Sequence, residues 1–283
     1  MSLEIHETYY QNGKTFKDYY MVLNINNKRV LFCPIPKCAN TSLTLFFSSL
    51  DKRNKNNKFI ITNKNFDIGK CDNLCSNITR YATKFYFYNS PIKNINSPDI
   101  FKCCFVRNPY FRLLSNYFTF IIFSEGENFK RFLIHVFKIL NKPIKQLKNK
   151  ISFNEFVDYI ISVEESKLNY HFKPQYLFLE NVKFNFIGKV ENIKKDTIKL
   201  LKFLKVKESK SSELIRINSY SNSSESKNNI CFKNFNYQDI INYKNKNNFY
   251  PNKKNFFDEK IQTKIYNKYK IDFDKFNYSK ELM

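Results

Sequence analysis

The chain has 283 residues, 42% of them hydrophobic and 18% aromatic, and its Lys+Arg 48 against Asp+Glu 25 give a formal net charge of +23. That apolar and aromatic content argues against disorder over most of the length, which allows one large domain or two small ones. The seven cysteines are odd in number and lack the spacing of a disulfide framework or a zinc site, and no run approaches the roughly 18 apolar residues of a membrane span.

The positive balance implies attraction to anions: nucleic acid, an anionic glycan, a membrane surface or a nucleotide. Much of it has a plainer source. Heavy use of Lys, Asn, Ile, Phe and Tyr, with 4 Gly and no Trp, is the bias of an AT-rich genome and would leave most lysines as solvated surface. The first residues, MSLEIHETYY, have neither a basic start nor an apolar h-region, so no secretory signal is expected. With cysteines suited to a reducing compartment, the expected location is cytoplasmic.

In chain order, residues 1–28 read as an N-terminal arm or short strand before the core and 29–283 as the main domain. The first informative stretch is RVLFCPIPKCANTS, Arg29 to Ser42. Val30 to Cys33 reads as a buried strand, Pro34 and Pro36 stop it, and Leu43, Leu45, Phe46 and Phe47 begin a helix. Such a turn leaves backbone N–H groups unpaired at a helix N-terminus, where the dipole favours an anion. Lys37, Thr41 and Ser42 add a point charge and two hydroxyls, so the turn reads as a cradle for phosphate or something of its shape. It is not a Walker A loop, because it has no glycine and its lysine precedes the turn. Taken alone, an ordinary strand-to-helix connection with a surface lysine would look the same.

Residues 51–58 read as a solvated connection, followed by weak strand signals at Phe59–Thr62 and Phe85–Tyr88. The second informative stretch is Ile100 to Phe123. Phe101 to Val106 is a strand run that Arg107 ends; Asn108 is a good N-cap and Pro109 suits the first helical position. In the helix that follows, Arg112, Ser115 and Asn116 have the spacing of one face and Leu113, Leu114, Tyr117 and Phe118 cover the other. Phe118 to Phe123 reads as a buried helix. Arg107 would sit at the C-terminal end of its strand, where open α/β sheets bind ligands; a structural salt bridge is the competing role.

Residues 124–150 look like an insertion, helical around Phe129 to Leu140. Ser152 to Glu155 forms a capping box opening an amphipathic helix. Phe184 to Val190 is a strand run, Asp196 to Leu204 a helix, 207–229 a polar loop, and Phe256 to Tyr269 has helical spacing. Alternating strands and helices predict an α/β fold with a central parallel sheet.

Two anion-binding turns on one such sheet suggest a nucleotide with phosphates at both ends. Here the chain resembles a known family. IPKCANTS is similar to the P-K-x-G-x-[ST]-[ST] loop of PAPS-dependent sulfotransferases, and FVRNPYFRLLSNY resembles their F-V-R-[DHN]-P-x-x-R-[LF]-x-S-x-Y segment. SFNEFVDYI, HFKPQ, FNFIGKVEN and IYNKYKIDFDKFNY resemble later blocks of the carbohydrate branch, the chondroitin and HNK-1 type. The resemblance implies a P-loop-like three-layer fold, PAPS as donor with 3′,5′-ADP as product, no metal, and a carbohydrate hydroxyl as acceptor. Carried over residue by residue, it gives Lys37 the bridging oxygen and sulfuryl group. Cys38, Ala39, Asn40, Thr41 and Ser42 form the 5′-phosphosulfate loop, and Arg107 and Ser115 take the 3′-phosphate. Cys38-Ala39-Asn40 departs from the glycine-containing turn, so the turn must use another conformation or put Asn40 at positive φ.

Transfer to a hydroxyl needs a base. Of the three histidines, His6 lies in the arm, His135 on an amphipathic helix and His171 in the family-like HFKPQ block. His171 is the first candidate and Glu191 the second; Glu155 and Asp158 read as helix cap or surface. Other classes fit less well. A P-loop kinase or nucleotidase would need Walker A and B motifs, and a nucleic-acid binder would need basic residues clustered with aromatics, whereas these lysines are spread through loops. A protein of this fold that binds the nucleotide without transfer would be separated by a product assay.

Overall fold

The computed structural model describes residues 20–52, 96–213 and 230–282. The expected strand signals at 59–62 and 85–88 lie outside them. The chain divides into two compact units, one formed by 1–106 and 177–218, the other by 107–176 and 219–283.

Among the described residues the first unit carries a four-stranded sheet in the order β1 (Met21–Ile25), β2 (Lys28–Cys33), β3 (Ile100–Val106) and β4 (Phe186–Lys189). β2, β3 and β4 run parallel, as the alternating pattern predicts, with Cys33 opposite Cys104 and Val106 opposite Lys189. β1 is the short strand that residues 1–28 offered as an alternative to an arm, and it pairs antiparallel with β2, Met21 opposite Phe32 and Ile25 opposite Lys28. The loop between them is Asn26-Asn27, both at positive φ (47° and 64°). That is the two-residue geometry whose twist matches a hairpin, and asparagine tolerates it.

One face of this sheet buries Leu23, Val30, Phe32, Cys103 and Phe105 against helix α1 (Asn40–Leu50), through Leu43 and Phe47, and helix α5 (Ile193–Phe203), through Ile193 and Leu200. Phe32 and Phe47 rings meet at 4.4 Å. Each such ring taken from water is worth about 1.5–3 kcal/mol, so this seam fixes α1 and the turn before it. β4 approaches so closely that a Cβ on Gly188 would stand 2.5 Å from the Phe105 ring. On the other face, the Tyr20 hydroxyl and the Cys33 thiol both reach the Phe178 carbonyl, at 2.7 and 3.7 Å. Burial pushes the Cys33 and Cys103 thiols up, so both are protonated packing groups.

The second unit is helical: α2 (Pro109–Tyr117), α3 (Glu127–Ile139), α4 (Phe153–Ser162), α6 (Tyr237–Asn247), α7 (Glu259–Lys268) and the short α8 (Lys270–Lys275). Its core is aromatic, with Tyr110, Tyr117, Phe153, Phe156, Phe172, Phe232 and Phe256 all buried. The polar tips are satisfied, as with the Tyr117 hydroxyl donating to the Ile151 carbonyl at 3.0 Å. The buried helix expected at 118–123 is a π-helix over Phe118–Ile122, closed by the Phe123 N–H to the Phe118 carbonyl at 2.9 Å. Its wider turn lets the Phe118 and Phe123 rings both meet Tyr250, at 5.7 and 5.5 Å.

Candidate functional site

The candidate residues fall in both units. In the first, the chain leaves β2 at Cys33 and turns twice. The Cys38 N–H bonds the Ile35 carbonyl at 3.2 Å, making Pro36 and Lys37 the centre of a turn. Proline presets the first of these positions, and Lys37 takes φ 64° at the second, where glycine or asparagine is usual. Ala39 is then the N-cap of α1, left-handed at φ 56°, ψ 29°, with no side-chain cap. Asn40 is already helical, and the Thr44 hydroxyl donates to its Oδ1 at 3.2 Å. Of the two alternatives, positive φ at Asn40 is not the one used: Ala39 carries it, because Asn40 has entered the helix. A left-handed residue followed by a right-handed one turns successive N–H groups toward a common point, and the uncapped helix end adds its dipole. Half-buried Lys37 precedes this cradle, and Thr41 and Ser42 stand in its first turn.

In the second unit, Arg107 directly follows β3 and Asn108 caps α2, its Oδ1 accepting from the Tyr110 N–H at 2.9 Å. Pro109 is the first helical residue. Arg107, Phe111, Leu114, Ser115 and Phe118 line a cleft that Tyr250, Pro251 and Lys253 complete from the loop after α6. The structure thus brings Arg107 and Ser115 to one cleft, and adds Lys253 and an aromatic wall that the sequence did not reveal. Lys253 lies in a polar Lys-Lys pair that nothing local distinguishes; only the fold brings it to α2. Two cations, a hydroxyl and three aromatic rings suit a phosphate attached to a flat, apolar base.

The helix faces need correcting. Arg112 and Asn116 are not on the cleft face with Ser115. Both are buried, Arg112 donating to the Lys173 carbonyl (2.8 Å) and the His171 carbonyl (3.1 Å), and Asn116 to the same His171 carbonyl (3.0 Å). A hundred-degree step per residue separates positions 112 and 116 from 111, 115 and 118, and the charge on Arg112 is spent on the HFKPQ segment.

His171 is thereby fixed by its main chain. Its Nδ1 lies 3.1 Å from Asn169 Oδ1, and its ring stands edge-on to Phe120 at 4.9 Å. An amide oxygen beside Nδ1 favours the tautomer with the proton there, leaving Nε2 the basic nitrogen. His171 is not among the residues lining the cleft. Glu191 is exposed on a short 3₁₀ turn, Val190–Asn192, at the C-terminal end of β4, as Lys37 follows the same end of β2. Burial and Lys138 push His135 down; its ring packs against Tyr159 on the α3–α4 side of the unit.

A family model described as the sulfotransferase family matches residues 22–279. Carbohydrate sulfotransferase 12 of Mus musculus is 23% identical over 196 residues, which is 62% of this chain and 46% of the mouse protein. The chain therefore spans about half the length of that relative. No solved structure gives a significant match.

Proposed function

Because the chain belongs to the sulfotransferase family, we propose that it moves a sulfuryl group from PAPS to a hydroxyl of a carbohydrate. The observation that carries the nucleotide part is the cleft where Arg107, Ser115 and Lys253 meet an aromatic wall. It fits a 3′-phosphate beside a base, and would hold PAPS or its product 3′,5′-ADP at that end. Lys37 and the amides of Asn40, Thr41 and Ser42 would hold the 5′ end. The carbohydrate acceptor is supported by the name of the mouse relative and by the later sequence blocks.

PAPS supplies the activated sulfuryl group; the chain's own residues position and balance charge. Lys37 neutralises the negative charge that develops on the leaving phosphate. Ser115 and Arg107 anchor the far end, and Lys253 is a second cation there. His171, with its Nδ1 turned to Asn169, accepts the acceptor's proton at Nε2, and Glu191 is the second candidate for that task.

Calorimetry with 3′,5′-ADP and 5′-AMP tests this first. Wild type should prefer 3′,5′-ADP, and Arg107→Ala should weaken that ligand by about 2 kcal/mol, as for a lost charge-assisted bond, while leaving 5′-AMP nearly unchanged. Labelled PAPS offered with a panel of oligosaccharides then tests transfer itself. Equal binding of the two nucleotides by wild type would overturn the reading.

A further inference from the structure

Arg107 stands at an awkward place in the backbone. Arg107 lies between the end of β3 at Val106 and the start of α2 at Pro109. Its N–H and C=O must be held there if the side chain's point of departure is to be fixed.

The side-chain amide of Gln175 takes up both. Arg107 N–H donates to Gln175 Oε1 at 2.8 Å, and Gln175 Nε2 donates to the Arg107 carbonyl at 2.8 Å. This is the pairing a neighbouring strand would make, supplied by one side chain with no exposed surface. Gln175 is itself fixed from the C-terminal helix α8. Its N–H donates to Asp272 Oδ2 at 2.7 Å, its Nε2 lies 3.4 Å from the same oxygen, and the Tyr176 N–H donates to Asp272 Oδ1 at 2.8 Å. Asp272 is fully buried. All these groups belong to the second unit.

We propose that Gln175, held by Asp272, is the positioning residue for Arg107 and thereby sets recognition of the 3′-phosphate. This rests on Arg107 being the group that meets that phosphate. Two opposed hydrogen bonds to one residue fix the peptide planes on both sides of its Cα, and so fix where the guanidinium begins. A charged fork must meet its anion within a fraction of an ångström, and a displacement of about 1 Å can lose on the order of a hundredfold. Gln175 is not among the residues lining the cleft, and its side chain reaches it by way of the Arg107 main chain. The HFKPQ and IDF segments, far apart in sequence from Arg107, then share one purpose with it.

The test is the ratio of 5′-AMP to 3′,5′-ADP dissociation constants, measured on the full chain. Gln175→Met keeps the length and removes both bonds. It should lower the wild-type ratio by roughly tenfold or more while leaving 5′-AMP affinity within about twofold. In an Arg107→Ala background the same substitution should leave the ratio unchanged. Asp272→Asn should shift the ratio in the same direction but less. Should Gln175→Met not fold, Gln175→Glu, which keeps the acceptor for the Arg107 N–H and loses only the donor, carries the same measurement. An equal weakening of both nucleotides would make Gln175 a merely structural amide and overturn the proposal. A wild type that does not distinguish the nucleotides would instead remove the 3′-phosphate reading beneath it.

Discussion

At the turn before α1, Lys37 and Ala39 both hold positive φ, and neither is glycine. For an L-residue with a Cβ the left-handed region costs about 1–2 kcal/mol, and Ala39 has no side-chain hydrogen bond to offset it. The resembling loop has glycine at this position, the residue that suits a left-handed backbone best. Ala39→Gly should therefore raise unfolding free energy by about 1 kcal/mol, and the melting temperature by roughly 2–4 °C, without weakening 3′,5′-ADP. A drop in melting temperature would mean that the extra freedom glycine gives the unfolded chain outweighs the relieved strain. The missing glycine was plain in the sequence, but which neighbour would carry the strain was not. That was decided by where α1 starts, and α1 starts where packing of Leu43 and Phe47 on the sheet sets its register. Lys253 shows the same limit: a lysine beside a lysine carries no local mark, and its place beside Arg107 arises only from long-range packing.

The elements most legible in the sequence were those with signals at their ends. Ser152 and Glu155 form the expected capping box, the Ser152 hydroxyl accepting from the Glu155 N–H while Glu155 accepts from the Ser152 N–H at 2.7 Å. The hairpin joining β1 to β2 has its Asn-Asn mark too, but it falls at the boundary between the stretch read as an arm or short strand and the domain that follows. Helix α6 went unread although Asn236 and Asp239 make a second capping box, because its body, YQDIINYKNKN, has few apolar residues and buries only Ile240. Glu155 also pairs with Lys142. Burial alone would raise its pKa; Lys142 and the Ser152 N–H and hydroxyl outweigh this and hold it below the ordinary carboxylate range. With the folded value depressed, the stabilisation is present above the unfolded pKa and lost as pH falls through the folded one. Glu155→Gln should thus lower the denaturant midpoint at pH 7, and the gap from wild type should close as the pH is taken below about 4. A gap of constant size across that range would show that the carboxylate charge contributes nothing and that only the cap geometry matters.

For the whole molecule the open question is what the net charge of +23 does. Two accounts make different demands. If the lysine excess forms one broad field, nucleotide affinity should depend on total charge. If most lysines are solvated and screened, it should depend on the few cations in the cleft. Salt separates them, since the screening length shrinks from about 10 Å at 0.1 M to about 3 Å at 1 M. Lys130 and Lys138 are exposed on α3 and do not line the cleft, whereas Arg107 does. Replacing both lysines by glutamine removes two charges; Arg107→Ala removes one. On the local account, 3′,5′-ADP affinity should fall several-fold between 0.1 and 1 M salt in wild type and equally in the double lysine variant, while Arg107→Ala flattens the dependence. The broad-field account demands the reverse order, because two lost charges must then matter more than one. Calorimetric titrations at three salt concentrations decide it. The cleft's composition favours the local outcome, for a half-buried arginine beside aromatic rings is screened far less than a lysine in open water.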